Sequence, residues 1–201
     1  MSDIPPSGKG GTFHDVYFTT SAKRWYLTND NHGITLDDER LSWTHQGTPD
    51  GARLANVAAV RLQSGGEARN PVHMCAITFA DGFVLTATDA DDRGFRSDEK
   101  AAPYRDFVQD LHRRLIAGGR DMIPFSAGLP PTNHTVVTAA AFLLGLLFFV
   151  LPIVLLMITG RPEILFTLLA GLTFLWPLLK LAHRNAPRAY DPRDLPSDLL
   201  P

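Results

Sequence analysis

Between Asp121 and Arg161 the chain carries not one Asp, Glu, Lys or Arg. A soluble surface needs charged groups at far shorter intervals, so this stretch governs every reading of the rest. Within it, Val136 to Thr159 supplies 24 predominantly apolar residues, and about 20 suffice to cross a bilayer core. At the helical rise of 1.5 Å the run is about 36 Å long, enough to cross with some tilt. Pro152 stands mid-span and predicts a kink, which lipid-embedded helices tolerate when neighbours re-satisfy the freed carbonyl. Residues 160–163, Gly-Arg-Pro-Glu, read as a turn. A second apolar run follows from Ile164 to Ala182, broken only by Lys180. Near the end of a span, Lys180 can snorkel to the headgroups, and Trp176 and Pro177 suit an interface. The pattern predicts a transmembrane hairpin, one helix over 136–159 and a second over 164–182.

Two spans joined by four residues place both ends of the hairpin on one side. The flank after the second span carries Lys180, Arg184, Arg188 and Arg193, whereas the turn carries Arg161 offset by Glu163. Positive charge marks the cytoplasmic side. The expectation is a protein of the inner (plasma) membrane with both termini cytoplasmic, including a tail over 183–201. Met1 to Gly11 is polar and rich in Pro and Gly, with no apolar core. It reads as a disordered leader over 1–11 rather than a secretory signal. Cys75 is the single cysteine, so no intrachain disulfide forms, which fits a reducing compartment.

The formal net charge is −2 and the pI about 6.4. No basic field points to nucleic acid as a partner. Residues 12–126 read as short strands followed by one helix. Strand candidates are Phe13 to Thr20, Arg24 to Thr28, Gly33 to Leu36, Arg40 to Trp43 and Leu54 to Leu62, with loops over 46–51 and 64–71. His73 to Phe79 alternates, with Cys75, Ile77 and Phe79 on one face. Asp81-Gly82 then turns the chain into Phe83 to Thr88, a strong hairpin signal. A polar loop covers 89–102. Pro103 suits a first helical turn. Tyr104, Phe107, Val108, Leu111 and Leu115 follow as one apolar stripe, and Gly118-Gly119 ends the helix. Residues 122–125 suggest one more short strand before a linker over 127–135.

This α+β pattern resembles the pleckstrin-homology-like (PH-like) fold, in bacterial membrane proteins that carry such a domain beside transmembrane helices. The residues that carry the resemblance are Arg24 to Leu27, Gly33 to Leu36, Val57 to Leu62, the Cys75 to Leu85 hairpin and Tyr104 to Leu115. It implies a small bent antiparallel sheet or split barrel closed by one C-terminal helix. The order differs from many such proteins, because the apolar runs follow the domain.

Motifs with catalytic or metal chemistry fail on spacing. Asp89 to Gly94 starts like a calcium loop, but Arg93 and Lys100 stand where oxygen ligands belong. Ser7 to Thr12 lacks the strand and the first glycine of a phosphate loop. His73 and Cys75 share a strand face without a second ligand pair. Asn133-His134-Thr135 matches a glycosylation sequon but falls on the expected cytoplasmic side. No paired nucleophile and base appears, so the expectation is a non-enzymatic protein without cofactor or metal. Ala141/Gly145 and Thr167/Gly171 are small-residue pairs that permit close helix approach. The cations flanking the spans, Arg113, Arg114, Arg120, Lys180, Arg184 and Arg188, are the candidate membrane-surface contacts, each worth about 1 kcal/mol beside an anionic leaflet. The partners expected are the bilayer, anionic lipid headgroups or another membrane protein, with an accessory-subunit role as the alternative.

Overall fold

The structure is a computed structural model. It describes residues 10–20, 32–45, 47–67, 70–91, 93–160 and 186–201, with Phe166, Gly171 and Thr173. The strand expected at Arg24 to Thr28, most of the leader, most of the second apolar run, Lys180 and Arg184 lie outside the described residues. The chain forms two compact units, Met1–Ala127 with Arg188–Pro201, and Gly128–Pro187.

The first unit is α+β and is built on a nine-stranded mixed sheet. Its strands are β1 (Thr12–Thr19), β2 (His32–Leu36), β3 (Arg40–His45), β4 (Thr48–Arg53), β5 (Val57–Glu67), β6 (Asn70–Phe79), β7 (Val84–Thr88), β8 (Phe125–Ala127) and β9 (Arg188–Ala189). Their order is β4-β3-β2-β1-β7-β6-β5-β8-β9. Pairing is antiparallel throughout except between β5 and β8. Two meanders, β1 to β4 and β5 to β7, are therefore joined by the β1–β7 pair.

Alternation decides which face is core. On β6 the Cys75, Ile77 and Phe79 face is buried, opposite Val60 and Leu62 of β5 and Leu85 and Ala87 of β7. Val16 and Phe18 on β1 and Ile34 and Leu36 on β2 extend that core. The hairpin between β6 and β7 forms as its Asp-Gly signal predicts. Gly82 takes φ +85° and the Asp81 carboxylate accepts the Phe83 N–H at 2.9 Å.

Helix α1 (Asp98–Ala117) packs on the sheet, chiefly on β1, and buries all five residues of the apolar stripe. It starts five residues earlier than Pro103 suggests. Asp98 and Glu99 sit in its first turn, where the helix dipole favours carboxylates. Lys100 is drawn inward by Asp15, 2.7 Å away. That long-range ion pair is invisible to local pattern and lies in the part of the helix ahead of Pro103.

Two segments expected as loops are strand. β4 contains Pro49, Asp50 and Gly51, poor strand formers, yet pairs with β3 along its whole length. It is an edge strand, where proline is tolerated. β5 and β6 run on through Gly65, Gly66 and Pro71 to the pair Glu67–Asn70. Cross-strand pairing overrides composition at both places.

The C-terminal residues also depart from the expected tail. Arg188 and Ala189 pair with Ala127 and Ser126 as β9. A 3₁₀ turn, Ser197–Leu199, follows; Leu199 is buried in the core, and Tyr190, Leu195 and Leu200 pack against that core, partly buried.

The second unit contains helix α2 (Pro131–Gly145), a π-helical stretch (Leu146–Val150) and α3 (Leu151–Thr159) as one rod. The π stretch immediately precedes Pro152, whose ring would otherwise clash with the carbonyl four residues back. Gly160, at φ +63°, ends the rod. From His134 to Thr159 it is a 26-residue helix long and apolar enough to cross a membrane. Phe142, Leu143, Leu147, Met157 and Ile158 are all exposed on it. Beyond the turn, Gly171 lies against Phe148, so close that a β-carbon at 171 would stand 2.5 Å from the Phe148 Cβ.

Candidate functional site

Three polar clusters and a set of arginines occupy the first unit. The first cluster centres on Asp110, a carboxylate buried on the inner side of α1. His14 of β1 donates Nε2–H to its Oδ2 at 3.2 Å, and Arg114 donates Nε–H to Oδ1 at 3.0 Å. Arg113 bonds the same oxygen. Burial alone would raise the Asp110 carboxyl, but these hydrogen bonds and the Arg114 charge outweigh it and hold the group below its ordinary value. Arg114 also reaches Asp38 in the β2–β3 turn and the Thr12 hydroxyl at 3.2 Å. The cluster thus ties α1 to β1 and to that turn.

The second cluster involves His73, weighed with Cys75 as a metal pair on sequence. Asp89, fully buried, accepts the His73 backbone N–H and ring Nδ1–H, both at 2.7 Å. Burial pushes the Cys75 thiol up to about 12. The Tyr104 ring lies 6.4 Å from that of His73. Its hydroxyl, fully buried, has no hydrogen-bond partner among the described residues, and burial followed by the neighbouring Cys75 and Asp89 raises its pKa well above the ordinary phenol range. Sequence spacing singled out His73 but gave no sign of Asp89 as its partner, sixteen residues away.

The third cluster was silent in the sequence. His112 Nδ1–H donates to the Val108 carbonyl at 2.7 Å, which leaves Nε2 as an acceptor for the Tyr190 hydroxyl, also at 2.7 Å. Burial lowers His112 to about 4, partly opposed by the Val108 bond, so the ring is neutral. Burial also raises the Tyr190 phenol.

The candidate membrane-surface cations fall at separate places. Arg113, beside Asp110, has a side chain 74% accessible. Arg114 is engaged by Asp110 and Asp38. Arg120 donates to the Val57 carbonyl, between α1 and β8. Arg188, on β9, makes a two-oxygen contact with Asp198, both at 2.6 Å. Three of these four arginines are paired with carboxylates, which reduces the local positive potential.

No group of three or more His, Cys, Asp or Glu side chains among the described residues is arranged to hold a metal ion. The clusters join secondary-structure elements, and their central groups, Asp110, Asp89 and His112, are buried. The apolar rod is exposed, as are Arg113 and, in the first unit, Phe13, Phe95 and Met122. Compared with known proteins, the chain matches no family model and no curated sequence.

Proposed function

We propose that this chain is a membrane-anchored, non-enzymatic binding or adaptor protein. It presents a PH-like domain at the inner face of the membrane, held there by a transmembrane helical hairpin. The observation that carries the reading is the bracketing of the apolar rod by two paired strands. The chain leaves the domain after Ala127 and re-enters it at Arg188, directly opposite. A spanning segment with this connectivity crosses an even number of times. The Gly171–Phe148 contact supports the same reading, because the two positions lie at nearly equal sequence distance on either side of Gly160, where the first helix ends.

Support for the PH-like reading is topological. Two meanders meet at the β1–β7 pair, and a single helix follows the seventh strand. The domain's target is a lipid headgroup, a peptide or a partner subunit. The pairing of Arg113, Arg114 and Arg188 with carboxylates favours a protein target over anionic lipid. It also keeps the accessory-subunit role as the second reading.

Alkaline phosphatase fusions test the topology. A fusion after Pro201 is expected to be inactive and one at Pro162 active; the reverse pair overturns the cytoplasmic placement. Purification in mild detergent tests the target. A stoichiometric protein partner supports the adaptor reading, and retention of anionic lipid alone favours headgroup binding.

A further inference from the structure

The last residues of the chain are built into the first unit by several independent contacts. The Tyr190 N–H donates to the Phe125 carbonyl at 3.2 Å, and the two rings meet edge to face with centroids 5.8 Å apart. The Tyr190 hydroxyl satisfies the buried His112. Leu199 fills the core with 1% of its surface exposed. Arg105 bonds the Pro201 carbonyl, Arg193 reaches Asp121 at 3.0 Å, and Arg188 holds Asp198. Without residues 188–201 the β8 edge is open, His112 lacks its hydroxyl partner and the Leu199 site is unfilled.

Residues 128–187 lie between β8 and this segment. Ala127 and Arg188 are opposite one another, so the chain must return to within about 5.5 Å of where it left. The helix His134–Thr159 alone carries it about 39 Å away at 1.5 Å per residue. If that helix crosses the bilayer once and the rest does not recross, residues 188–201 are stranded on the wrong side of the membrane.

We propose that residues 188–201 form an insertion latch. The segment seats only when the apolar hairpin has completed both crossings, and its seating closes the cytoplasmic domain. The occupant of the β8 edge and the Leu199 site is therefore this chain's own C-terminal segment. The latch rests on the membrane reading above. It adds a coupling that the reading does not contain: a wrongly inserted molecule is left with an open sheet edge and an uncovered core.

The test uses the full chain in membranes, with Ser126→Cys and Ala189→Cys introduced together. These residues oppose each other in the β8–β9 pair, flanked by the Tyr190–Phe125 hydrogen bond, so their Cα atoms lie about 4.5 Å apart. That suits a disulfide, which spans about 4.4–6.8 Å. Mild oxidation should cross-link most of the protein, while the buried Cys75 stays inert. Leu169→Arg with Leu172→Arg, added to the cysteine pair, places charge mid-span and blocks the second crossing without shortening the chain. The cross-link should then be lost. Leu179→Arg, near the span end where the side chain can snorkel, should leave the cross-link intact.

Alkaline extraction of the same membranes separates the two ideas. Release of the cysteine-pair protein into the supernatant overturns the membrane reading and the latch with it. Retention in the membrane with equal cross-linking in the blocked variant overturns the latch alone. So does retention with no cross-link in the unblocked protein.

Discussion

Nε2 of His112 accepts the hydroxyl of Tyr190 across 78 positions of sequence, and the opposite ring nitrogen of His112 is committed to the Val108 carbonyl. The ring therefore has no room for a second proton without losing a bond. Its folded value of about 4 lies below the ordinary 6.5. Between those two values the unfolded chain takes up the proton and the folded chain does not, so stability rises with pH across that window and is lost as pH falls through it. At 1.36 kcal/mol for each pH unit, the window is worth about 3 kcal/mol. Thermal melting between pH 4 and 7 should show this slope, and His112→Gln should flatten it.

Asp110 makes a complementary case. Its carboxyl lies below the usual range, so its contribution is present at neutral pH and disappears only below the ordinary carboxylate value of 3.8. Asp110→Ala leaves His14 and Arg114 facing an empty acceptor position at a buried site. Breaking one partner of such a group costs about 3 kcal/mol or more. Arg113→Ala, at an exposed position, should change the chemical-denaturation midpoint little.

The α1 stripe should behave as core. Leu111 is fully buried and Met122 is 90% exposed. Leu111→Ala should therefore cost about 2–5 kcal/mol, and Met122→Ala less than about 0.5. Equal, small effects in a denaturant titration would show that the stripe does not carry the fold.

Residues 12–126 should not match the full chain in stability when expressed alone, since the core they build is completed by Tyr190, Leu195, Leu199 and Leu200. Leu199→Ala in the full chain should lower the melting temperature of the first unit, with a cost in the same range of about 2–5 kcal/mol. An unchanged melting temperature would mean that the C-terminal segment only rests on the surface.

In the apolar unit the sensitive position is Gly171. A side chain there meets Phe148 closer than any carbon–carbon contact allows. Gly171→Leu should loosen the packing around Phe148, read as a lower aggregation temperature of the protein in mild detergent. Phe148→Ala together with Gly171→Leu should restore part of that loss.

The parts of the fold legible in the sequence are those written in local period. The Tyr104 to Leu115 stripe, the alternation through Cys75 to Phe79 and the Asp-Gly turn each depend on residues a few positions apart. β4 was not legible, because Pro49, Asp50 and Gly51 are strand only through pairing with β3. The Lys100–Asp15 pair in the first turns of α1 and the His112–Tyr190 bond each join residues far apart in sequence. The arginines were visible as charges, but the carboxylates that occupy them, Asp38 for Arg114 and Asp198 for Arg188, come from elements that sequence order does not bring together. Long-range partners set both the site and the exceptions to local propensity.

Because β9 is the last strand of the sheet and lies beyond the whole apolar segment, the domain is finished late during synthesis. At about 5–20 residues per second, residues 128–201 take on the order of 4–15 s to emerge after β8. For that interval the outer edge of β8 is bare and His112 waits for its hydroxyl. Edge-directed aggregation is a hazard of such a pause. The three-residue length of β8 keeps the exposed ladder short while the rest of the chain is made.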